Sequence, residues 1–279
     1  MPRRAALETL RRVERGALAR ETLDANLRRE SRSERDRDLA RELVQGVLRH
    51  LETLDHLLAR HLKRPLATAH AVDRNALRIG AYQIVYLDRV PDRAAVHTAV
   101  EAAKSAGRPR AAGFVNAVLR KLAGSVAESG AAEPGPDARR AVPRGDGRWT
   151  TFDADVLPDP ESEPLEHLAA AYAHPEWLVE RLVAQHGDGP ARAILEAGIT
   201  RPAVALRPVA PHGDALRAGL SEREIAFEEE GPCLLVRGAG PVSGLPGYEE
   251  GWFAVQDPTT AEVVPVLAPQ AGEGILELC

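Results

Sequence analysis

Two cysteines and one acidic strand end are the residues of this chain best suited, by type and place, to do chemistry. Cys279 closes the run Gly272-Glu273-Gly274-Ile275-Leu276-Glu277-Leu278-Cys279, which reads as an apolar strand rising from a Gly turn. A strand with an acidic residue near its carboxyl end ordinarily leads into a Gly-rich ligand-binding turn and then a helix. That turn does not follow here, so the expectation is a set of recognition elements plus the first edge of a catalytic domain. Cys233 is the second candidate nucleophile. It begins the apolar stretch Cys233-Leu234-Leu235-Val236, just after Glu228-Glu229-Glu230. Nearby acids raise a thiol pKa and oppose the thiolate. Cys233 therefore reads as a small buried strand residue.

Other motifs are weaker. The two cysteines form no CxxC pair, and the nine histidines show no HExxH or other ligand spacing, so no metal site is expected. Gly238-Ala239-Gly240-Pro241-Val242-Ser243-Gly244 does not serve as a dinucleotide loop. Its third Gly comes one residue late, and Pro241 and Pro246 stand where a helix should start. No phosphate-binding GxxxxGK[ST] loop and no GxSxG elbow occurs. Gln256-Asp257-Pro258 ends one strand and begins a helix, where Asp257 is placed to cap and Pro258 to occupy the first turn. Arg201 and Arg207 lie at the two ends of a strand. They read either as phosphate-positioning cations or as an ordinary solvated pair.

The elements that must carry these residues follow from composition and pattern. Of 279 residues, 44% are apolar, which is ample for packed cores, and only 4% are aromatic. The length points to two domains and part of a third. No apolar run reaches the roughly 18 residues of a membrane span, and the start, Met1-Pro2-Arg3-Arg4-Ala5, leads into an amphipathic pattern and not a signal core. A cytoplasmic setting is expected. The net charge of −5 conceals an asymmetry: residues 1–124 hold 25 Lys and Arg against 15 Asp and Glu, and the remainder holds 11 against 26. A basic domain beside an acidic remainder points to a polyanionic partner.

Residues 3–123 read as six or seven helices with short connections, an all-α domain. Asp73 is placed to cap the helix holding Leu77, Ile79, Ile84 and Val85. Residues 125–164, rich in Gly, Pro, Ala and acids, read as a flexible acidic linker. Residues 165–249 alternate helix and short strand and read as a small α+β unit. Residues 250–279 open a third unit: a strand at Trp252–Val255, a helix at Thr259–Leu267 and the strand Gly274–Leu278.

Several segments together resemble a known family. They are Gly80-Ala81-Tyr82-Gln83-Ile84, Ala95-Val96-His97-Thr98-Ala99-Val100-Glu101-Ala102-Ala103, Phe114-Val115-Asn116-Ala117-Val118-Leu119-Arg120, His174-Pro175-Glu176-Trp177-Leu178 and Thr200-Arg201-Pro202. The most specific runs from Leu245-Pro246-Gly247-Tyr248-Glu249-Glu250-Gly251-Trp252 to Asp257, followed by Leu267-Ala268-Pro269 and the closing residues. The chain resembles the bacterial small-subunit ribosomal RNA methyltransferase B (Sun) family, cytosine-C5 methyltransferases with a NusB-like N-terminal domain.

The resemblance implies a multidomain fold. An all-α NusB-like RNA-binding domain (1–124) and the linker (125–164) precede a small α+β domain (165–249). The first elements of an α/β Rossmann-like S-adenosylmethionine-dependent domain (250–279) come last. It implies S-adenosylmethionine as cofactor and small-subunit ribosomal RNA as partner, with Cys279 as the cysteine of the cofactor loop and Arg201 and Arg207 as RNA contacts. Glu277 stands where the family has Asp, and Thr259-Thr260 where it more often has a small residue and Ser. In this chemistry a thiolate adds to cytosine C6, C5 takes the methyl group, and a base removes the C5 proton so that the thiol leaves. The family's two catalytic cysteines, in Pro-Cys-Ser and Thr-Cys-Ser contexts, have no counterpart in Cys233 or Cys279, so this segment alone is expected to be inactive, with little affinity for the cofactor, and monomeric. The alternative is a non-catalytic NusB-like module of RNA binding and transcription antitermination.

Overall fold

The computed structural model describes residues 2–28, 33–270 and 272–276. They fall into two compact units, Met1–Thr200 and Arg201–Cys279.

The first unit begins with helices α1 (Pro2–Val13), α2 (Ala19–Arg28), α3 (Glu34–Arg49), α4 (Leu51–Ala59), α5 (Ala71–Tyr86), α6 (Asp92–Ser105) and α7 (Ala112–Ala123). Helix α5 is the axis on which α1, α3, α4, α6 and α7 pack. Every residue from Asn75 to Tyr86 is buried. A helix enclosed on all sides loses the apolar stripe that ordinarily betrays it, and its polar residues must find partners inside. Arg78 donates to both oxygens of Asp55 at 2.7 and 2.6 Å and to Glu14 at 2.7 Å. Gln83 accepts from Arg3 at 2.9 Å and donates to the Ile79 carbonyl at 3.0 Å. His70 caps this helix, not the expected Asp73: its Nδ1 accepts from Val72 N at 3.3 Å. Asp73 is instead turned to Arg108, 2.8 Å away.

Small residues let the helices approach. A Cβ on Gly80 would meet Leu119 and sit 3.2 Å from Ala99 Cβ, so three of the segments that carry the resemblance converge at one point of the core. A Cβ on Gly46 of α3 would run into the Tyr82 ring. That ring is anchored by its hydroxyl on Glu42 at 2.7 Å and stacks in a series with Tyr86 and His50.

The flexible linker expected at 125–164 is not what the structure shows. Strands β1 (Val126–Ala131), β2 (Ala141–Pro143) and β3 (Trp149–Phe152) form an antiparallel sheet in the order β1-β3-β2. The composition misleads because this sheet needs no core of its own. Val142, Phe152, Val156 and Leu157 are buried in the same cluster as the helices. Thr150 Oγ1 donates to the Val85 carbonyl at 2.6 Å, and His56 Nε2 lies 2.9 Å from the Val156 carbonyl. Nor are its charges all solvated spacers. Asp137 accepts from Arg139 at 2.9 Å and Asp155 from Arg140 at 2.7 Å, while Arg144 and Arg148 of the segment donate to Asp88 beyond α5 at 2.6 and 2.8 Å.

Helices α8 (Pro164–Tyr172), α9 (Glu176–His186) and α10 (Asp188–Ile199) complete this unit. Thr53 Oγ1 of α4 donates to the Ala170 carbonyl of α8 at 2.6 Å. The expected unit 165–249 therefore divides at Thr200, because its helices bury their apolar faces on the helical core.

The second unit holds β4 (Val204–Pro208), α11 (Gly213–Glu222), β5 (Phe227–Glu230), β6 (Cys233–Val236), β7 (Phe253–Val255), α12 (Pro258–Ala261) and α13 (Val263–Leu267). Its sheet is antiparallel in the order β5-β6-β4-β7, closed by α11 around Leu206, Leu216, Leu220, Leu234, Val236 and Leu245. Strand β7 does not open a third unit: it pairs with β4 in the register Leu206↔Val255 to Pro208↔Phe253. The turn before it is built around Gly247, whose φ of +77° and contact with the Trp252 ring exclude a side chain. The strand expected at 274–278 is not formed over 274–276, where Leu276 is 81% exposed. Glu277, Leu278 and Cys279 lie outside the described residues.

Two outcomes follow from the His50–Tyr82–Tyr86 stack. Gly46→Ala gains helix propensity worth about 1 kcal/mol but must displace an anchored ring, so a net loss of roughly 1–2 kcal/mol is expected from overpacking. A shift of the urea midpoint to lower concentration checks it. The second outcome concerns acid. His50 is buried, with Nδ1 unpartnered; burial, reinforced by Arg49 and Arg144 against Asp146, lowers its pKa to about 3. The unfolded ring protonates near its usual 6.5 and the folded one does not, so stability is intact above pH 6.5 and is lost progressively towards pH 3. Between pH 7 and 5 this removes about 2 kcal/mol. His50→Phe should show a correspondingly shallower loss when denaturation is compared at the two pH values.

Candidate nucleic-acid interface

Burial sorts the charges of the helical domain. Its less exposed acids are held by arginines: Glu14 by Arg74 and Arg78, Asp55 by Arg78, and the buried Asp73 by the partly exposed Arg108. Burial pushes the Glu14 carboxyl up, but the bonds and charges of Arg74 and Arg78 outweigh it and leave its pKa lowered. What remains outside keeps a cationic excess over the exposed acids Glu21, Glu34, Glu52 and Asp92. Arg60, Lys63, Arg64, Arg89, Arg93, Arg110, Arg120 and Lys121 are exposed and have no ion-pair partner among the described residues.

The best-formed group lies where α4 and α7 end. Arg60 follows the last residue of α4, and Lys121 stands in the last turn of α7. Between them His61 is half-buried, and its pKa is lowered by burial first, then by Lys121 and Arg60. Arg60 and His61 line a cavity of about 420 Å³ with Leu57, Leu122, Ser125, Ala154, Asp155 and Val156. Asp155 does not neutralise it, because Arg139 and Arg140 already hold that carboxylate at 3.0 and 2.7 Å. Cations at helix ends complement the free carbonyls there. That accounts for Arg60 and Lys121 singly, not for adding Lys63 and Arg64 in the following turn. Like charges gathered without counter-charges suit a phosphate backbone.

The residues singled out from sequence fare differently. Arg201 is exposed ahead of β4. Arg207 is half-buried on β4, with its Nε donating to Gln256 Oε1 at the end of β7. Asp257 caps α12, accepting from Thr259 N at 2.9 Å. Cys233 is buried, with Sγ 3.7 Å from the Gln256 carbonyl. Its pKa is raised by burial, with Arg207 opposing and Asp257 and Glu230 adding, so it is a poor nucleophile. Cys279 lies outside the described residues. No group of three or more metal-ligating side chains occurs among the described residues, and no helix is long and apolar enough to cross a membrane. The basic run at 60–64 was visible in the sequence; its meeting with Lys121 required the packing of α4 beside α7.

Comparison with known proteins adds to this geometry. The NusB family model matches residues 1–124. Ribosomal RNA small subunit methyltransferase B of Escherichia coli O1:K1 is 31% identical over 252 residues, which cover 88% of this chain and 51% of that protein. The protein of the same name from Escherichia fergusonii matches to the same extent. The chain thus spans about half the length of the curated relatives it matches. The crystal structure of PH0851 superposes over 98% of this chain and 56% of its own, with a TM-score of 0.62 at 16% identity, a likeness of fold.

If the cations at 60–64 and 121 meet phosphates, removing them flattens the salt dependence of RNA binding. The triple change Lys63→Gln, Arg64→Gln and Lys121→Gln should lower the slope of log K against log salt by about 2–3. Filter binding of a structured RNA at several salt concentrations measures it, and an unchanged slope places the interface elsewhere.

Proposed function

Residues 1–124 belong to the NusB family, on a chain homologous over most of its length to the ribosomal RNA small subunit methyltransferase B proteins, and on that premise we propose that it is the RNA-recognition portion of an S-adenosylmethionine-dependent rRNA (cytosine-C5) methyltransferase. The single observation that carries this reading is the 31% identity sustained over 88% of the chain, across both units. The exposed cations of the helical domain support it, because polyanion binding needs such a surface. In this reading the helical domain grips small-subunit ribosomal RNA through phosphates. Arg201 adds a further contact, and Arg207 acts through the Gln256 turn. Residues 250–279 lead into a Rossmann-like cofactor domain with Cys279 at its loop, and the protein works as a cytoplasmic monomer.

The described residues do not themselves fit the cofactor. Their strands are all antiparallel, and none leads into a Gly-rich turn and helix of the kind that binds such ligands at the carboxyl end of a sheet. The cysteine they contain, Cys233, is buried with a raised pKa. No methyl-transfer step is therefore assigned to them; their part is to hold and orient RNA.

A chimera tests the proposal. This chain is put in place of the matching portion of the Escherichia coli relative, and methyl transfer from labelled S-adenosylmethionine to small-subunit ribosomal RNA is followed. Label at cytosine C5 is expected. A chimera that folds and binds the cofactor yet leaves the RNA unmethylated would favour a NusB-like binding module instead.

A further inference from the structure

A second cavity, of about 140 Å³, lies between the β1–β3–β2 sheet and helices α8 and α10. Trp149 of β3, with Tyr172 and His167 of α8, supplies its aromatic surface. Pro134, Pro136 and Ala141 supply aliphatic wall, and Arg192 of α10 completes the lining. Its size is that of one six-membered ring: a cavity of about 150 Å³ in another protein accepts benzene.

Its polar groups are few and already oriented. Arg192 Nε donates to the Tyr172 hydroxyl at 2.9 Å, with the guanidinium carbon 5.8 Å from the Tyr172 ring centre. That bond fixes the guanidinium at the cavity and leaves its two terminal nitrogens without an acidic partner among the described residues. His167 Nδ1 lies 2.9 Å from the Pro158 carbonyl, so Nδ1 carries the proton and, in the neutral ring, Nε2 is left as an acceptor. An apolar cavity of ring size with a fixed cationic donor and an imidazole edge matches an unstacked base followed by its phosphate.

We infer that this cavity receives one unpaired pyrimidine nucleotide, its base against Trp149 and its O2 or phosphate on Arg192. The inference rests on the RNA-binding reading above and adds a site for a single-stranded nucleotide, which the phosphate-binding surface does not provide. A free nucleotide and a nucleotide within RNA share this chemistry.

The test uses the whole chain and a short single-stranded oligonucleotide carrying 5-iodouridine, irradiated and mapped by mass spectrometry. A cross-link to Trp149 or Tyr172 is expected. Competition by unmodified oligonucleotide at far lower concentration than by cytidine monophosphate points to RNA as the source; equal competition points to a free nucleotide. Arg192→Gln, a change on an exposed side chain, should weaken oligonucleotide binding about 10-fold and leave double-stranded RNA binding unchanged. Cross-links confined to helices α1–α7, or displacement of the oligonucleotide by a proline-rich peptide, would overturn this site while leaving the proposed function standing. Absence of all RNA binding would instead remove the reading on which it rests.

Discussion

A guanidinium withdrawn from water must find acceptors in the protein, and the first unit is organised around one whose two terminal nitrogens do, although its Nε is buried without a partner. Arg144 is buried, with its terminal nitrogens on Asp88 at 2.6 Å, Ser129 at 2.9 Å and the Tyr86 carbonyl at 2.7 Å. Tyr86 ends α5, Asp88 follows it, Ser129 lies on β1, and Arg144 follows β2. One side chain thus ties the last turn of the central helix to two strands. Removing one partner of a fully buried charge pair costs about 3–5 kcal/mol; Asp88 is exposed and screened by water, so losing it costs less than that, and the larger loss comes from stranding the buried Arg144. Burial alone would raise the Asp88 pKa, but the bonds from Arg144 and Arg148 more than offset it, and the carboxylate stays charged below its ordinary range.

The same rule explains why a domain with such an excess of arginine folds. Arginines in its interior have forked partners: Arg78 takes Asp55 and Glu14, and Arg74 takes Glu14 through two nitrogens at 2.8 Å. These pairings cancel charge of both signs in equal number, so the domain's excess of Lys and Arg over Asp and Glu is left on its surface. A polyanion is the partner that relieves the self-repulsion of that excess.

Much of this was legible in the sequence, and the exceptions have physical causes. The helices of residues 2–123 follow the 3.6-residue spacing of Leu and Val, and Cys233 is the buried strand residue that its apolar run predicts. Helix α5 shows the limit of periodicity, since burial on every face left only Leu77, Ile79, Ile84 and Val85 conspicuous. The segment 125–164 reads as a linker because Val142, Phe152, Val156 and Leu157 are too few for a core, yet they are enough to complete an existing one. Strand β7 reads as the start of a new domain because its partner β4 lies some 45 residues earlier, a pairing that no local pattern announces. At the candidate site, the cations at 60–64 are adjacent in sequence. Lys121 joins them only through packing, and the bond from Arg207 to Gln256 depends on the β4–β7 register.

The sheet laid over the helices also sets the scale on which the first unit opens. Amides that sit in separate stretches of sequence but share a core lose their protection together in hydrogen exchange. Strand β3 is central in its sheet, and Thr150 is bonded to the carbonyl of Val85 inside the deepest helix. Its amides cannot be released by local fraying while α5 stays folded. They exchange with the global opening of the unit, so a segment whose composition resembles a tether becomes a reporter of the cooperativity of the whole.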